Sequence, residues 1–551
     1  MSLHRRFAIS LTVSALGLAA WFGLNSPTSP TEEFYSSVAE HMRTNGKVPK
    51  AEQRPNDWFY QQRAYPHRQI PNAARLKAFD QARELRATAV SQRSPSAVTW
   101  AEAGPTNIPG RITDIAVHPT DIDIVYAGSA AGGVFKSTDG GGSWTAVFDD
   151  VGTQSIGAMA IHPNDPNILY VGTGESNTAG DSYEGTGMYK STDAGATWTY
   201  VGLPNSYHIG RVVIDPLRPD TIYVAALGRL FGTNPDRGVY RSEDGGATWD
   251  QLLYLNDSTG CVDLVFDPVS GNILAAMWER WRNPSERRVG GFASGILRSE
   301  DFGATWVRLD DTNGLPAPSF DGGRIGLSRD PVSDITYAVF VDHPGNLVGV
   351  YWTGNGGDSW AATSTSGIES ITGGFGWYFG QIRVTPGTPT EVYLLGVPLY
   401  KSTDAGASWF RIAHSTHVDH HAMYIDPVNT DNIYLGCDGG MNFSDDGGSS
   451  WTTFWNMHNT QFYAITVDEN DAMRIAGGTQ DNGTMITSGA IDGWLRILGG
   501  DGFYTLIDYS NPNIIYAESQ WGISPNRTTA GGHSARRWMG SITVPIVTIG
   551  T

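Results

Sequence analysis

Cysteine, charge and long apolar segments are all scarce in this chain of 551 residues. The two cysteines, Cys261 and Cys437, cannot build a disulfide framework, and the sequence has no CxxC or cysteine–histidine spacing typical of a zinc site. Only 17% of the residues are charged, and the net charge of −19 argues against a nucleic-acid partner, which would require a basic surface. No segment beyond residue 24 is long and apolar enough to cross a membrane.

Glycine and aromatic residues are abundant instead. The chain contains 67 Gly, 18 Trp and 23 Tyr. A disordered chain lacks aromatic residues and a helical bundle lacks glycine, so the composition disfavours both classes. It is typical of a large β protein with many glycine turns.

The N-terminal 97 residues differ from the rest. Arg5 and Arg6 precede an apolar run over 7–24, so residues 1–31 predict an export signal or an N-terminal anchor with its spacer. We therefore expect an exported protein, whether periplasmic, on the cell surface or secreted. Residues 32–97 form a second segment, in which the apolar spacing over 72–90 predicts one or two short helices.

A short repeat dominates the rest of the chain. The pattern Ser-x-Asp-x-Gly-x-x-Trp, here called the Asp motif, occurs six times, and a degenerate copy lies at 353–360. Its tryptophans recur every 42 to 57 residues when the degenerate copy is included. The six motifs contain Asp139 and Trp144, Asp193 and Trp198, Asp244 and Trp249, Asp301 and Trp306, Asp404 and Trp409, and Asp446 and Trp451.

Each repeat predicts four short antiparallel strands, which is the blade of a β-propeller. The Asp motif fits the turn between the third and fourth strands, because its carboxylate can accept backbone N–H groups and its glycine tolerates a positive φ. The tryptophan is expected to pack between neighbouring sheets. We read 98–456 as seven blades, 457–522 as two further blade-like repeats and 523–551 as an irregular, truncated tail. The sequence leaves open a seven-bladed ring with an incomplete second ring, or one larger ring.

The Asp motifs resemble those of the BNR/Asp-box superfamily, which includes sialidases, two-propeller xyloglucanases and sortilin receptors. The strings HVDHHAMYIDP, GGTQDNGT and GGDGFYTLID are similar to exported bacterial sortilin-like or "glycosyl hydrolase BNR repeat" proteins. The resemblance implies a propeller fold and either glycan hydrolysis or ligand binding. The sialidase Arg-Ile-Pro signature is absent, and the resemblance transfers no catalytic residue.

The candidate binding face is the one opposite the Asp motifs, here called the loop face. Connections between strands 2 and 3, and between successive blades, emerge there and vary in length, and binding residues usually lie on variable loops. The ligand-binding candidates are Arg111, Arg211, Arg324, Trp278, Trp377, Tyr378, Gln480, Asn482 and Gln520. The arginines could hold a carboxylate or sulfate, or each could pair with an acidic neighbour such as Asp114 or Asp321.

Carboxylates on the same face are candidates for acid–base chemistry. The principal catalytic candidates are Asp481, Asp501, Glu175 and Glu279, and the wider set adds Asp181, Glu184 and Asp321. The acidic and amide side chains in the strings GGTQDNGT and GGDGFYTLID could equally bind Ca²⁺ or hydrogen-bond to the backbone of the glycine turns. His417, Asp419 and His421 alternate along a predicted strand and are a candidate metal site, although an extended strand would spread them over about 13 Å.

These patterns predict an exported β-propeller that binds a polysaccharide or a protein segment on its loop face. The alternative is a glycoside hydrolase, xyloglucanase-like or sialidase-like, that uses two of the carboxylates. No cofactor is expected apart from a possible divalent metal, and no nucleic acid is expected as a partner.

Overall fold

The computed structural model of the protein describes residues 58–67, 70–71, 74–91, 101–283, 286–519 and 546–548. Residues 1–31 and most of 523–551 lie outside the described residues, so the predicted export signal does too. Two helices, α1 (Trp58–Ala64) and α2 (Ala74–Ser91), come first, as the sequence predicts. Within the described part of the chain, no helix has both the length and the apolar character needed to span a bilayer.

The described chain from 101 onward folds almost entirely into antiparallel sheets, which confirms the predicted all-β propeller class. Seven four-stranded sheets follow one another along the chain. The strands of sheets 1 to 3 are β1 (Ile112–His118), β2 (Asp121–Ser129), β3 (Gly133–Ser137) and β4 (Thr145–Ala146); β5 (Ile156–Ile161), β6 (Leu169–Thr173), β7 (Met188–Ser191) and β8 (Thr199–Gly202); β9 (Ile209–Ile214), β10 (Ile222–Ala226), β11 (Gly238–Ser242) and β12 (Asp250–Leu253).

Sheet 4 contains an inserted hairpin between its second and third strands, and a 3₁₀ helix (Asp311–Asn313) follows the sheet. The strands of sheet 4 are β13 (Thr259–Phe266), β14 (Ile273–Glu279), β17 (Gly295–Ser299) and β18 (Val307–Leu309), and the hairpin is β15 (Trp281–Asn283) with β16 (Glu286–Arg288). Sheets 5 to 7 are β19 (Gly322–Arg329), β20 (Thr336–Asp342), β21 (Leu347–Thr353) and β22 (Ala361–Ala362); β23 (Gln381–Thr385), β24 (Thr388–Leu395), β25 (Leu399–Ser402) and β26 (Phe410–Ile412); β27 (His420–Ile425), β28 (Ile433–Cys437), β29 (Gly440–Ser444) and β30 (Thr452–Phe454).

The seven sheets form a closed ring. The first strand of each sheet contacts the first strand of the next, and β27 of sheet 7 contacts β1 of sheet 1. Side chains also join these two sheets, because the Tyr434 hydroxyl donates to the Ile122 carbonyl at 3.1 Å. Since the ring closes between β27 and β1, the alternative of one larger ring does not apply.

The Asp motif is a self-contained turn between the third and fourth strands. In sheet 2, Asp193 Oδ1 accepts from the Thr197 N–H and the Ser191 hydroxyl, both at 2.8 Å. Asp193 Oδ2 accepts from the Thr197 hydroxyl at 2.6 Å, and the Gly195 N–H donates to Ser191 Oγ at 2.8 Å. These hydrogen bonds lower the pKa of Asp193 to about 2. In the degenerate copy, Asn355 takes the same position and accepts from the Ser359 N–H.

Aromatic side chains of the motif and of the second strand join neighbouring blades. The Trp198 indole N–H donates to the Val147 carbonyl of the preceding blade, and that of Trp249 donates to Val201, each at 2.7 Å. In the opposite direction, the Tyr126 hydroxyl donates to Ala194 in the next motif at 2.9 Å. These bonds explain how a local turn sequence also determines the spacing between blades.

Two further sheets follow the ring. Sheet 8 contains β31 (Phe462–Val467), β32 (Arg474–Thr479), β33 (Gly483–Ser488) and β34 (Leu495–Leu498), and sheet 9 contains β35 (Gly502–Ile507), β36 (Ile514–Ser519) and β37 (Ile546–Thr548). Sheet 8 is tied to the ring, because the Trp494 indole donates to Ala103 at 2.9 Å and the Asn459 side chain bonds both N–H and C=O of Gly110. The loops of sheet 8 therefore lie next to the start of β1.

We predict that Asp244→Ala lowers the midpoint of thermal unfolding at neutral pH, because Asp244 makes the same motif bonds as Asp193. These bonds lower the pKa of Asp244 from 3.8 to about 2, so the stabilisation is present above the unfolded value and is lost as pH falls toward about 2. The difference in unfolding midpoint between variant and wild type should therefore become smaller as pH falls through that range, as measured by thermal melts. Asp244→Asn should lower the unfolding midpoint less, because Asn355 already makes the equivalent bond to a backbone N–H in the degenerate motif. Asp150→Ala, at an exposed position, is the control. A gap that widens in acid would contradict this account.

Candidate functional site

The loop face gathers a buried polar cluster at the mouth of the central channel, here called the mouth cluster. Arg111 directly precedes β1, Glu175 follows β6, Asp438 follows β28 and Asp481 follows β32. In an antiparallel blade, the start of strand 1 and the end of strand 2 lie at the same edge, so these positions converge on one face. Sheets 1, 2, 7 and 8 therefore each supply one charged residue.

Arg111 is the centre of the mouth cluster. Its Nε lies 2.9 Å from Glu175 Oε1, and its Nη2 lies 3.3 Å from Oε2, which is a bidentate arrangement. Nη1 lies 3.4 Å from Asp481 Oδ2 and 3.9 Å from Asp438 Oδ1. Burial acts to lower the pKa of Arg111, but Glu175 and the other acidic groups outweigh it and raise that pKa, so the guanidinium remains charged.

His421 supports the second carboxylate of the mouth cluster. Its Nε2 lies 2.8 Å from Asp438 Oδ1, and both side chains are almost fully buried. Burial acts to raise the pKa of Asp438, but His421 and Arg111 overcome this effect and hold the pKa below its usual value. Tyr378 packs edge-on against His421 at 4.8 Å and lies 5.3 Å from the Arg111 guanidinium. Asp438 is therefore an ionised, rigidly held group.

Asp481 has the opposite electrostatics. Burial raises its pKa well above the usual value, and the nearby Asp438 and Asp501 raise it further. Its backbone N–H donates to Asp501 Oδ1 at 2.7 Å, and its side chain remains 23% exposed. Asp481 is thus a carboxyl group that is partly open to solvent and holds its proton at a higher pH than usual.

Sheet 8 and the 172–187 loop close one side of the mouth cluster. The Tyr463 hydroxyl donates to Asp181 Oδ2 at 3.1 Å, and its ring stacks on Phe503 at 5.1 Å. With its amide oriented to satisfy both ends, Gln480 accepts from Arg111 Nη1 at 2.8 Å and donates to Asp181 Oδ2 at 2.9 Å. The Asn482 amide donates to the Asp438 carbonyl at 2.9 Å. Gln480 and Asn482 therefore tie loops together.

Asp419, Asp438 and Asp481 meet the simplest geometric requirement of a cation site, since one oxygen from each lies within 4.8 Å of the others. Arg111 already supplies positive charge to Asp438 and Asp481. A proton on Asp481, which its raised pKa favours, reduces the remaining repulsion.

The predicted histidine set is divided in the structure. Strand β27 begins only at His420, so His417 and Asp419 precede it, and Asp419 adopts a left-handed φ of 69°. This bend brings Asp419 to the mouth cluster, where His421 supports Asp438. His417 instead contacts its neighbouring Val418 carbonyl in an exposed position. The three residues therefore do not form one ligand set.

The other predicted charged residues are engaged in separate contacts. Arg211 Nε donates to Asp263 at 2.7 Å, and Arg324 Nη1 donates to Asn177 at 2.6 Å, so the three candidate arginines do not converge on one anion. Glu279 pairs with Arg288 at 3.3 Å on the side of sheet 4. Among the described residues, Asp114 and Asp321 form no ion pair within 4 Å with the three arginines, although Arg211 acts on Asp114 from a longer distance. The Asp114 carboxylate accepts the Met159 N–H, and the Asp321 carbonyl accepts the His343 N–H.

The aromatic ligand-binding candidates Trp278, Trp377 and Tyr378 are buried, so they do not offer exposed rings to a ligand as their predicted loop positions implied. Trp278 lies within β14, is fully buried and donates to the Val289 carbonyl at 2.9 Å, and Trp377 and Tyr378 are also buried. Gln520 lies outside the described residues. Sequence reasoning missed Tyr463 and Phe503, although Phe503 ends the GGDGF string that supplied Asp501, and Tyr463 lies on β31, which pairs with the strand before Asp481.

The fold and the mouth cluster together define a β-propeller with a buried acidic site on its loop face. No family model matches the chain. Among curated proteins it is similar to a xyloglucanase of Paenibacillus sp., with 27% identity over 349 residues, which cover 55% of this chain and 31% of that protein. It is also similar to a xyloglucanase of Hypocrea jecorina (strain QM6a), with 24% identity over 478 residues, which cover 78% of this chain and 48% of that protein. The chain thus spans less than half of the length of these two relatives.

A solved structure agrees at the level of fold. The GH74 xyloglucanase from Xanthomonas campestris superposes with a TM-score of 0.57 at 18% identity, covering 76% of this chain and 65% of that one. This likeness supports the propeller architecture.

We predict that Arg111→Ala lowers the free energy of unfolding by about 3–5 kcal/mol, because it leaves Glu175 buried without its counter-charge. Urea unfolding measures the loss. The double variant Arg111→Met with Glu175→Gln should recover part of it, since no uncompensated charge remains at that pair. Equal losses in the single and double variants would show that the ion pair is not the cause.

We predict that Asp481→Asn raises the midpoint of thermal unfolding at neutral pH. A carboxyl group with a raised pKa destabilises the fold as pH rises through that pKa, and asparagine cannot ionise. The gain should disappear in acid, where wild-type Asp481 is protonated, and Asp150→Asn should show no such gain. A variant less stable than wild type at neutral pH would contradict the predicted repulsion.

Proposed function

We propose that the protein is a glycoside hydrolase that cleaves a neutral polysaccharide of the xyloglucan type at its loop face. The observation that carries the proposal is the partly open carboxyl group of Asp481, whose pKa is raised by burial, Asp438 and Asp501. A protonated carboxyl beside a second one is the arrangement that glycoside hydrolysis uses. The curated relatives named as xyloglucanases support the choice of substrate class.

In the proposed reaction, Asp481 acts as the general acid and Asp501 as the general base. Asp481 gives its proton to the glycosidic oxygen as the bond from that oxygen to the anomeric carbon breaks. A water molecule adds its hydroxyl group to the anomeric carbon and gives its proton to Asp501. The stacked pair Tyr463 and Phe503 lies beside Asp481 and Asp501 and offers an aromatic wall for the sugar.

The remaining candidate carboxylates are less suited to this role. Glu175 is fully buried between Arg111, Asn177 and Ser182, and Glu279 is held by Arg288. Asp181 accepts hydrogen bonds from Tyr463 and is buried. Asp481 and Asp501 retain partial exposure, which a residue needs in order to contact a substrate.

A second candidate function is polysaccharide or protein binding without hydrolysis. The observation that favours it is the close approach of the carboxylates of Asp419, Asp438 and Asp481 within 4.8 Å. This is tighter than the roughly 5–5.5 Å or 6.5–9.5 Å between the carboxyl groups of glycosidases. Measuring both hydrolysis and binding with the same polysaccharide distinguishes the two functions.

We predict that the full chain releases reducing ends from xyloglucan. Asp481→Asn and Asp501→Asn should each lower kcat by about 10²–10⁴-fold, because each removes one proton-transfer group. Asp193→Asn lies on the opposite face and should keep its activity, which makes it the matched control. Binding without any release of reducing ends would overturn hydrolysis in favour of the binding function, and full activity in Asp481→Asn would overturn the assignment of Asp481 as the general acid.

Three further assignments belong to the same proposal. The charged and apolar pattern of 1–24 supports export, and the repeated Asp motifs support membership of the BNR/Asp-box superfamily with a likeness to sortilin-like proteins. The domain division at 98–456 and 457–522 is supported by the closure of the ring between β27 and β1.

A further inference from the structure

We propose that Phe292 and Phe320 form an aromatic platform on the loop face that binds sugar rings of a neutral β-glucan chain next to the mouth cluster. This inference rests on the proposed function in its choice of ligand, and it assigns a binding subsite to residues outside the catalytic pair. Neither residue was a sequence candidate.

The two rings are unusually exposed for phenylalanine. Phe292 is 60% exposed and Phe320 is 53% exposed, whereas Trp278, Trp377 and Tyr378 on the same face are buried. Their centroids lie 6.2 Å apart with an interplanar angle of 66°. Phe292 lies between the inserted hairpin and β17, and Phe320 lies two residues before β19, so two separate connections present them together. Exposed apolar surface that the fold holds in place commonly marks a binding site.

Polar groups flank the platform in a fixed position. The Arg288 guanidinium lies over the Phe320 ring at 4.2 Å, and its Nε lies 3.3 Å from Glu279 Oε1. Glu279 Oε2 accepts the Ala293 N–H at 3.3 Å, so the backbone beside Phe292 is bonded to the same carboxylate. A pyranose ring has an apolar face and a rim of hydroxyl groups, and this combination of aromatic rings with an adjacent donor and acceptor matches both.

A continuous row of contacts connects the platform with the mouth cluster. Arg287, the neighbour of Arg288, stacks on Trp377 at 4.2 Å, and Trp377 packs against Tyr378 at 5.8 Å. Tyr378 in turn contacts His421 and Arg111. This row of mostly buried side chains holds the inserted hairpin beside the platform against the mouth cluster.

The charge of the protein restricts the class of glycan. The net charge of −19 repels polyanionic chains, and Arg288 is paired with Glu279. We therefore expect neutral β-glucans to bind and polygalacturonate not to bind.

The test measures binding to xyloglucan by affinity gel electrophoresis, in the Asp481→Asn background so that the polysaccharide is not consumed. Phe292→Ala with Phe320→Ala should weaken binding by about tenfold, because two stacking surfaces are removed. Phe292→Tyr with Phe320→Tyr should retain binding. Phe410→Ala, an exposed phenylalanine on β26, is the matched control and should bind like the parent.

Unchanged binding in the double alanine variant, or stronger binding of polygalacturonate than of xyloglucan, would overturn the platform. Because both rings are exposed, their removal should leave the midpoint of thermal unfolding unchanged, and thermal melts of the variants check this. Hydrolysis and binding fail separately: binding that does not depend on the two rings, in a chain that releases reducing ends, rejects the platform alone, whereas binding that depends on the two rings in a chain without hydrolytic activity rejects the catalytic pair alone.

Discussion

The buried guanidinium of Arg111 is the interaction on which the loop face depends. It joins Glu175, 64 residues away in the neighbouring sheet 2, and Asp481, 370 residues away, and the second contact exists only because sheet 8 packs beside β1. Without this cation, several carboxylates would share a buried space with no counter-charge beside Glu175, and the hydrogen bonds from Asn177 and Ser182 would offset only part of the cost. The ring and sheet 8 are thus connected by charge as well as by packing.

The fold could be predicted from the sequence because its determinants are local. In the Asp motif, Asp193 bonds to residues two positions before and four positions after it, so a short string contains the whole turn. Repetition then implies blades, and strand order implies which face carries the variable loops. The number of blades in the ring required a contact between β27 and β1, which no local pattern contains.

The partners of the charged residues could not be predicted in the same way. Proximity in sequence suggested Asp114 for Arg111, but Asp114 bonds to Met159 in the next blade while Arg111 reaches Glu175 on another loop. Trp278 was misjudged because β14 extends through it and the chain beyond folds back over its ring, where it bonds to Val289. Phe292, in contrast, follows the segment that covers Trp278 and lies outside any strand, so its ring remains exposed.

The mouth cluster shows why a candidate site can be recognised from the folding free energy that its neighbouring carboxylates cost. Asp438 is held ionised by His421 and Arg111, and that fixed negative charge, together with burial, raises the pKa of Asp481. Packing alone would favour an amide at position 481, since an amide removes the repulsion and keeps similar hydrogen-bonding groups. A carboxyl group retained beside two others in a partly open position is explained when its proton has a use, and the transfer of that proton to a glycosidic oxygen is such a use.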